Sequence, residues 1–190
     1  MFIKIGDEEY VGQCNALSYV FYKKLFKTSI LDDLDMFMIC LTKKTEENVD
    51  KQESNRLYEI LVRLIYILIY TNNTNILEFE KWKLDIQNKE ISVETINKIT
   101  SVLLESFVDV ELYKQMEKIP SENKEEKVIF PEHNFLAMCI KTGLNINDLK
   151  ILSYVDALKI IVSFVDFEKA PSEERYIEAT QKDWDNLAAM

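Results

Sequence analysis

Asn55-Arg56-Leu57-Tyr58-Glu59-Ile60-Leu61-Val62-Arg63-Leu64-Ile65-Tyr66-Ile67-Leu68-Ile69-Tyr70 is the stretch on which the fold turns. Leu57, Ile60, Leu61, Leu64, Ile65 and Leu68 recur in steps of three and four and mark one helical face. Tyr58, Val62, Tyr66 and Ile69 cover much of the opposite one. A helix apolar nearly all round sits at the centre of its domain. The other segments are therefore expected to pack around it, with Leu61, Leu64, Ile65 and Leu68 deeply buried. Arg56 and Arg63 mark it as a helix of a soluble body, because the longest unbroken apolar run, residues 64–70, falls far short of the roughly 20 residues a spanning helix needs.

Upstream, Phe2-Ile3-Lys4-Ile5, the turn Gly6-Asp7-Glu8-Glu9 and Tyr10-Val11 read as a small β-hairpin. Asn15 can cap a helix carrying Leu17, Val20, Phe21 and Leu25, and Lys23, Lys24 and Lys27 suit its negative end. Ser29 caps a second helix, with Asp32 and Asp33 in its first turn and a stripe of Ile30, Leu34, Phe37, Met38 and Leu41. Residues 42–54 are polar and charged, a loop or an exposed helical extension.

Downstream, residues 71–75 break the pattern and residues 76–86 resume it as a helix with Phe79 and Trp82. Ser92 caps a long helix marked by Val93, Ile96, Thr100, Leu103 and Phe107. The same spacing extends through Leu112 and Met116, with Pro120 as its stop. A charged linker, residues 121–127, and the short apolar patch Val128-Ile129-Phe130 follow. Pro131 opens a helix and Gly143 closes it, Asn145 and Asp148 frame a short helical turn, and Ser153 with Asp156 caps a helix through Leu158, Ile161, Val162 and Val165. After the linker Pro171-Ser172-Glu173-Glu174, Thr180 with Asp183 opens a last short helix with Trp184 and Leu187 on one face. The expected architecture is mainly α, an irregular helical bundle with a short N-terminal β-hairpin. Residues 1–119 would form the hairpin and helical body, 128–170 a smaller helical region, and 171–190 a C-terminal arm.

Composition agrees with this and narrows function. Three glycines and three prolines in 190 residues are far below the usual share of about 7% and 5%. Gly-dependent phosphate loops and hairpin-rich β folds are therefore poor fits. The net charge of −10 disfavours nucleic acid and anionic membrane surfaces, which need a basic face. Cys14, Cys40 and Cys139 are odd in number and unpaired in spacing, as reduced thiols of a cytoplasmic protein would be. His133 is the lone histidine, and a site built from it and the cysteines lacks the paired spacing of zinc ligands. The acidic pairs Asp32-Asp33, Glu46-Glu47, Glu125-Glu126 and Glu173-Glu174 fall at helix starts or in linkers, where solvation or the helix dipole accounts for them. No catalytic residue, metal or cofactor is expected. Tyr58, Tyr66 and Tyr70 read as core rings, or more sharply as an aromatic groove for a peptide. The N-terminus lacks the apolar core of a signal peptide.

The order of segments resembles the tail assembly chaperones of long-tailed bacteriophages and of prophages in Gram-positive hosts. The opening Phe2-Ile3-Lys4-Ile5-Gly6-Asp7-Glu8-Glu9-Tyr10 is similar to that family's strand-turn-strand. Ala16-Leu17 through Tyr22-Lys23-Lys24-Leu25-Phe26, followed by Ile30-Leu31-Asp32-Asp33-Leu34, resembles its first two helices. Gly143-Leu144 through Leu149 and Tyr154-Val155-Asp156-Ala157-Leu158 resemble its Gly-Leu and leucine-rich helix region. Ala179-Thr180-Gln181-Lys182-Asp183-Trp184-Asp185 is similar to a closing motif of small tail proteins. The resemblance implies a non-enzymatic protein of the host cytoplasm that coats the tape measure protein, helps tail tube subunits assemble around it and leaves before the particle is finished. It leaves room for self-association, and no nucleic acid or membrane is involved. The alternative is a small structural tail or virion component, or a phage-encoded helical regulator. Read from the arm itself, the candidate partner-binding residues are Tyr176, Thr180, Asp183, Trp184 and Leu187.

Overall fold

The computed structural model describes residues 1–43, 51–109, 112 and 132–169. Among them run a hairpin, β1 (Phe2–Ile5) and β2 (Glu8–Val11), and eight helices: α1 (Ala16–Phe26), α2 (Ile30–Lys43), α3 (Lys51–Asn72), α4 (Phe79–Ile86), α5 (Val93–Phe107), α6 (Glu132–Lys141), α7 (Ile146–Leu149) and α8 (Tyr154–Lys169). The protein is mainly helical with a two-stranded antiparallel hairpin at its N-terminus, as its sequence predicts.

The central position of α3 follows from its surface. Leu57, Ile60, Leu61, Val62, Leu64, Ile65, Tyr66, Ile67, Leu68 and Ile69 are all buried. Each fully buried aliphatic side chain contributes roughly 1.5–3 kcal/mol, so covering this helix dominates the energetics. α1 and α2 pack along it, and the hairpin closes over its C-terminal half. The polar segment before the apolar run is helical from Lys51 onward, and residues 44–50 lie outside the described set.

The hairpin pairs Phe2 with Val11, Ile3 with Tyr10, Lys4 with Glu9 and Ile5 with Glu8. Gly6 takes φ +58° at the first central position of the two-residue loop, a backbone that glycine adopts without steric cost. Alternation sends Ile3 and Ile5 into the core at zero exposure while Phe2 and Lys4 face out. The free edge of β1 is closed by side chains of α5: Thr95 Oγ1 donates to the Lys4 carbonyl at 3.4 Å and Lys98 Nζ to the Phe2 carbonyl at 3.3 Å. Past β2, Gln13 N–H donates to the Leu68 carbonyl at 2.9 Å, fastening the hairpin to α3.

The capping residues act as their chemistry dictates. Asn15 Oδ1 accepts the Leu17 N–H at 3.0 Å, and Ser18 Oγ accepts the Asn15 N–H at 3.1 Å. Ser29 Oγ accepts from Leu31, Ser92 Oγ from Thr95, and Ser153 Oγ from Asp156. Asn145 and Asp148 form a reciprocal box around α7.

Two helix boundaries differ from expectation. α4 begins at Phe79 rather than Ile76, because the Tyr66 hydroxyl takes the Leu77 carbonyl at 2.9 Å and Glu78 is extended (ψ 146°). α5 stops at Phe107 and does not run on through Leu112. Val108 turns to an extended backbone (φ −118°, ψ 117°), and Asp109 Oδ1 then accepts the Leu112 N–H at 3.0 Å. Leu112 is nonetheless buried, while Met116 and Pro120 lie outside the described residues.

The helices α6 and α8 share the core with α1 and α5 through four rings. Tyr154 lies 4.4 Å from Tyr19, 5.1 Å from Phe135 and 5.4 Å from Phe107, centroid to centroid, and Tyr19 meets Phe135 at 5.5 Å. Three hydrogen bonds fasten the start of α1 to the turn before α8. The Ala16 N–H donates to the Leu152 carbonyl at 2.8 Å. Asn15 Nδ2 and Gln13 Nε2 both donate to the Lys150 carbonyl, at 3.0 and 2.9 Å.

Two expected outcomes follow from this packing. Leu64→Ala, at a site with no exposure, should lower the free energy of unfolding by about 2–5 kcal/mol in urea titration. A Cβ at Gly12 would stand 2.6 Å from Ile3 Cδ1 and 3.3 Å from Leu68 Cβ. Gly12→Ala should therefore cost about 1–3 kcal/mol by overpacking, and markedly less in an Ile3→Val background that lacks the offending methyl.

Candidate functional site

The densest meeting of charged and aromatic side chains lies where α1, α2, α3 and α4 converge. Tyr22 hydroxyl donates to Asp33 Oδ2 at 2.6 Å, and Arg63 Nη1 reaches the same oxygen at 3.5 Å. Arg63 Nε lies 3.4 Å from Glu59 Oε1, one helical turn away, and Lys83 Nζ donates to Glu59 Oε2. The two cations also lie over rings: Arg63 5.6 Å from the centroid of Phe26, and Lys83 5.7 Å from that of Phe79. Two carboxylates thus face two cations and one phenol donor, each helix supplying at least one member.

This balance describes a clamp. The charges cancel within the cluster, so it presents no unpaired cation or carboxylate to a ligand. Acid–base catalysis needs a group whose pKa lies near the working pH. Among the described residues, the groups whose proton affinity the fold alters all move away from neutrality. Burial, then the Asp33 hydrogen bond, hold the Tyr22 phenol far above its ordinary range. Burial pushes the Cys14 and Cys139 thiols up to about 11 and the Tyr10 phenol up to about 12. Hydrogen bonds to Glu8 and Asp85 push Lys89 up to about 12, and the Lys89 bond in turn holds Glu8 below the usual carboxylate range.

The tyrosines of α3 take the core role. Tyr66 is buried and bonded to Leu77, and Tyr70 stacks on Tyr66 and meets Phe21 edge-on. Phe26, Phe79, Trp82 and Tyr10 extend the series, with ring centroids 4.8–6.2 Å apart. The rings fill one another, so they form a packed ribbon rather than an open groove. Among the described residues three buried side-chain atoms, Tyr58 Oη, Arg63 Nε and Trp82 Nε1, have no hydrogen-bond partner, and Arg63 Nε has only its ion-pair neighbour Glu59.

Of the residues singled out in the sequence, Asp33 belongs to this cluster. Tyr176, Thr180, Asp183, Trp184 and Leu187 lie outside the described residues, and His133 is on α6 with its side chain outside them as well. Cys14 and Cys40 are half-buried and Cys139 is buried; all three are free thiols. Among the described residues, no three His, Cys, Asp or Glu side chains gather closely enough to hold a metal ion, and no helix is long and apolar enough to cross a membrane. The clamp escaped sequence reasoning, although two signals pointed toward it: Arg63 is a lone charge inside the apolar run of α3, and Glu59 precedes it at the helical ion-pair spacing of four.

Asp33→Ala removes the acceptor of Tyr22 and a partner of Arg63 together. It should cost about 1–3 kcal/mol, and Tyr22→Phe about 1 kcal/mol, with the double variant less than additive. Stability should also depend on alkali. Thiols and phenols of the unfolded chain ionise near 8.5 and 10, whereas the folded values of Cys14, Cys139 and Tyr10 stand at about 11 to 12. Their contribution is complete below about pH 8.5 and is lost as the pH rises toward those folded values. Urea midpoints should be level from pH 7 to 8 and fall steadily from pH 9 to 11.

Protein-family models, curated proteins and solved structures offer no match to this chain, so its chemistry is read from its own residues.

Proposed function

We propose that this chain is a non-enzymatic assembly chaperone of a phage tail, acting in the host cytoplasm on the tape measure protein and promoting tube assembly around it. The observation that carries the reading is a helical body that leaves large aliphatic side chains exposed. Leu84 is 68% exposed, Val93 71%, Ile140 71% and Ile151 82%. A protein that holds a long amphipathic helix needs such weak, repeated apolar contacts and no cofactor. The cancelled charges of the α1–α4 clamp and the displaced proton affinities support the non-enzymatic part. The net charge of −10 supports solubility at high copy number and suits a client with basic segments. The resemblance of the hairpin, the first two helices and the closing segment supports the phage assignment.

In this reading the arm, with Tyr176, Thr180, Asp183, Trp184 and Leu187, engages the client or a neighbouring copy. Deleting residues 171–190 should leave the melting temperature nearly unchanged and strongly reduce capture of the tape measure protein in co-expression pull-downs. Mass spectrometry of mature particles should lack the chain. Its stoichiometric presence there would instead make it a structural tail component.

A further inference from the structure

The phase of the hairpin ladder fixes which backbone groups it leaves over. Met1 and Gly12 exchange both bonds: Met1 N donates to the Gly12 carbonyl at 2.7 Å, and the Gly12 N–H donates to the Met1 carbonyl at 2.8 Å. Bonded and non-bonded pairs alternate along an antiparallel ladder, so Ile3 with Tyr10 and Ile5 with Glu8 are the next bonded pairs. Phe2, Lys4, Glu9 and Val11 therefore turn their N–H and C=O groups outward. On β1 the Phe2 and Lys4 carbonyls meet Lys98 and Thr95 of α5. On β2 the outward groups of Glu9 and Val11 meet no hydrogen-bonding partner among the described residues, and both residues are exposed. An uncovered strand edge is a template for another strand.

This edge is complementary to itself. When two copies meet antiparallel about a two-fold axis at Tyr10, Glu9 of each copy pairs with Val11 of the other, and every outward N–H and C=O of both edges is bonded. The neighbouring registers are poorer. An axis at Val11 sets Glu9 against Gln13, whose N–H is already given to the Leu68 carbonyl. An axis at Glu9 opposes two like charges. In the Tyr10 register each Glu9 lies between Lys4 of its own hairpin and Val11 of the other, so no carboxylate faces a carboxylate. The outward Phe2 and Val11, 61% and 47% exposed, gain cover from the added strands. Tyr10 itself is anchored, its ring edge-on to Trp82 at 6.2 Å.

We propose that the outer edge of β2 is a self-association surface, on which two copies of this chain join their hairpins into a four-stranded antiparallel sheet with Glu9 of one bonded to Val11 of the other. An edge of four residues is far short of the about 20–30 residues a side of a standard interface, so the dimer is weak and reversible. It uses neither the aliphatic side chains nor the arm assigned to the client, and the two readings fail independently.

Amide-resolved NMR and sedimentation velocity on the full chain, from about 10 µM to about 1 mM, test it. A dimer should appear at the upper concentrations, and there the Glu9 and Val11 amides should exchange several-fold more slowly. Val11→Lys, which faces Glu9 of the second copy in this register, should tighten the dimer several-fold, and Val11→Glu should abolish it, both melting close to the wild type. A wild type that is monomeric across the range would overturn the proposal. Protection of the two amides that is independent of concentration would overturn it by making a segment of the same chain the occupant. A dimer indifferent to both substitutions would overturn it by placing the contact elsewhere.

Discussion

The rest of the molecule depends on the need to cover α3 on every side. A helix with one apolar stripe is satisfied by one neighbour, but α3 buries residues in consecutive runs, from Ile60 to Val62 and from Leu64 to Ile69. Helices alone do not close that circumference. The hairpin fills the remaining gap, and its fit explains a glycine: at Gly12 the strand end, Ile3 and Leu68 meet so closely that a methyl group would collide. The other two glycines have a different cause: Gly6 and Gly143 take positive φ in turns, a backbone that side chains rarely adopt.

Local chemistry was largely legible in the sequence. Asn15, Ser29, Ser92, Asn145 and Ser153 bond to backbone within three residues of themselves, so their neighbours in the chain suffice to identify them. Hydrophobic periodicity placed α3 because nothing competes with a pattern that continuous. The end of α5 was not legible, since the spacing of apolar residues persists beyond it while the backbone at Val108 turns away. Phe107 is committed at that point to Tyr154, a contact made far along the chain. The clamp was hidden for the same reason. Tyr22, Asp33, Arg63 and Lys83 look like unrelated surface residues until four helices bring them together. The candidate arm residues gain no placement from the described structure, and their reading stays with the sequence.

The clamp and the ribbon of rings share a division of labour. The rings supply area and close contact, and edge-to-face pairs such as Phe21 with Tyr70 and Phe26 with Phe79 fix their mutual orientation. The ion pairs add little as isolated surface contacts. Their worth lies in holding the registers of α2 and α4 on α3, since a slip of either outer helix would strand a half-buried charge.

The fastening of α1 to the turn before α8 also imposes an order on synthesis. Tyr19 is fully buried, and two of the rings that cover it, Phe135 and Tyr154, belong to the last third of the chain. At the roughly 5–20 residues per second of translation, that ring waits on the order of ten seconds before its cover emerges from the ribosome. Through that interval the N-terminal helices hold an open apolar notch at the start of α1, where the Ala16 N–H has yet to meet its carbonyl. The nascent chain is therefore most exposed to its neighbours on a polysome just before the region it lacks is made. A body assembled in this sequence is completed from its end backward to its beginning.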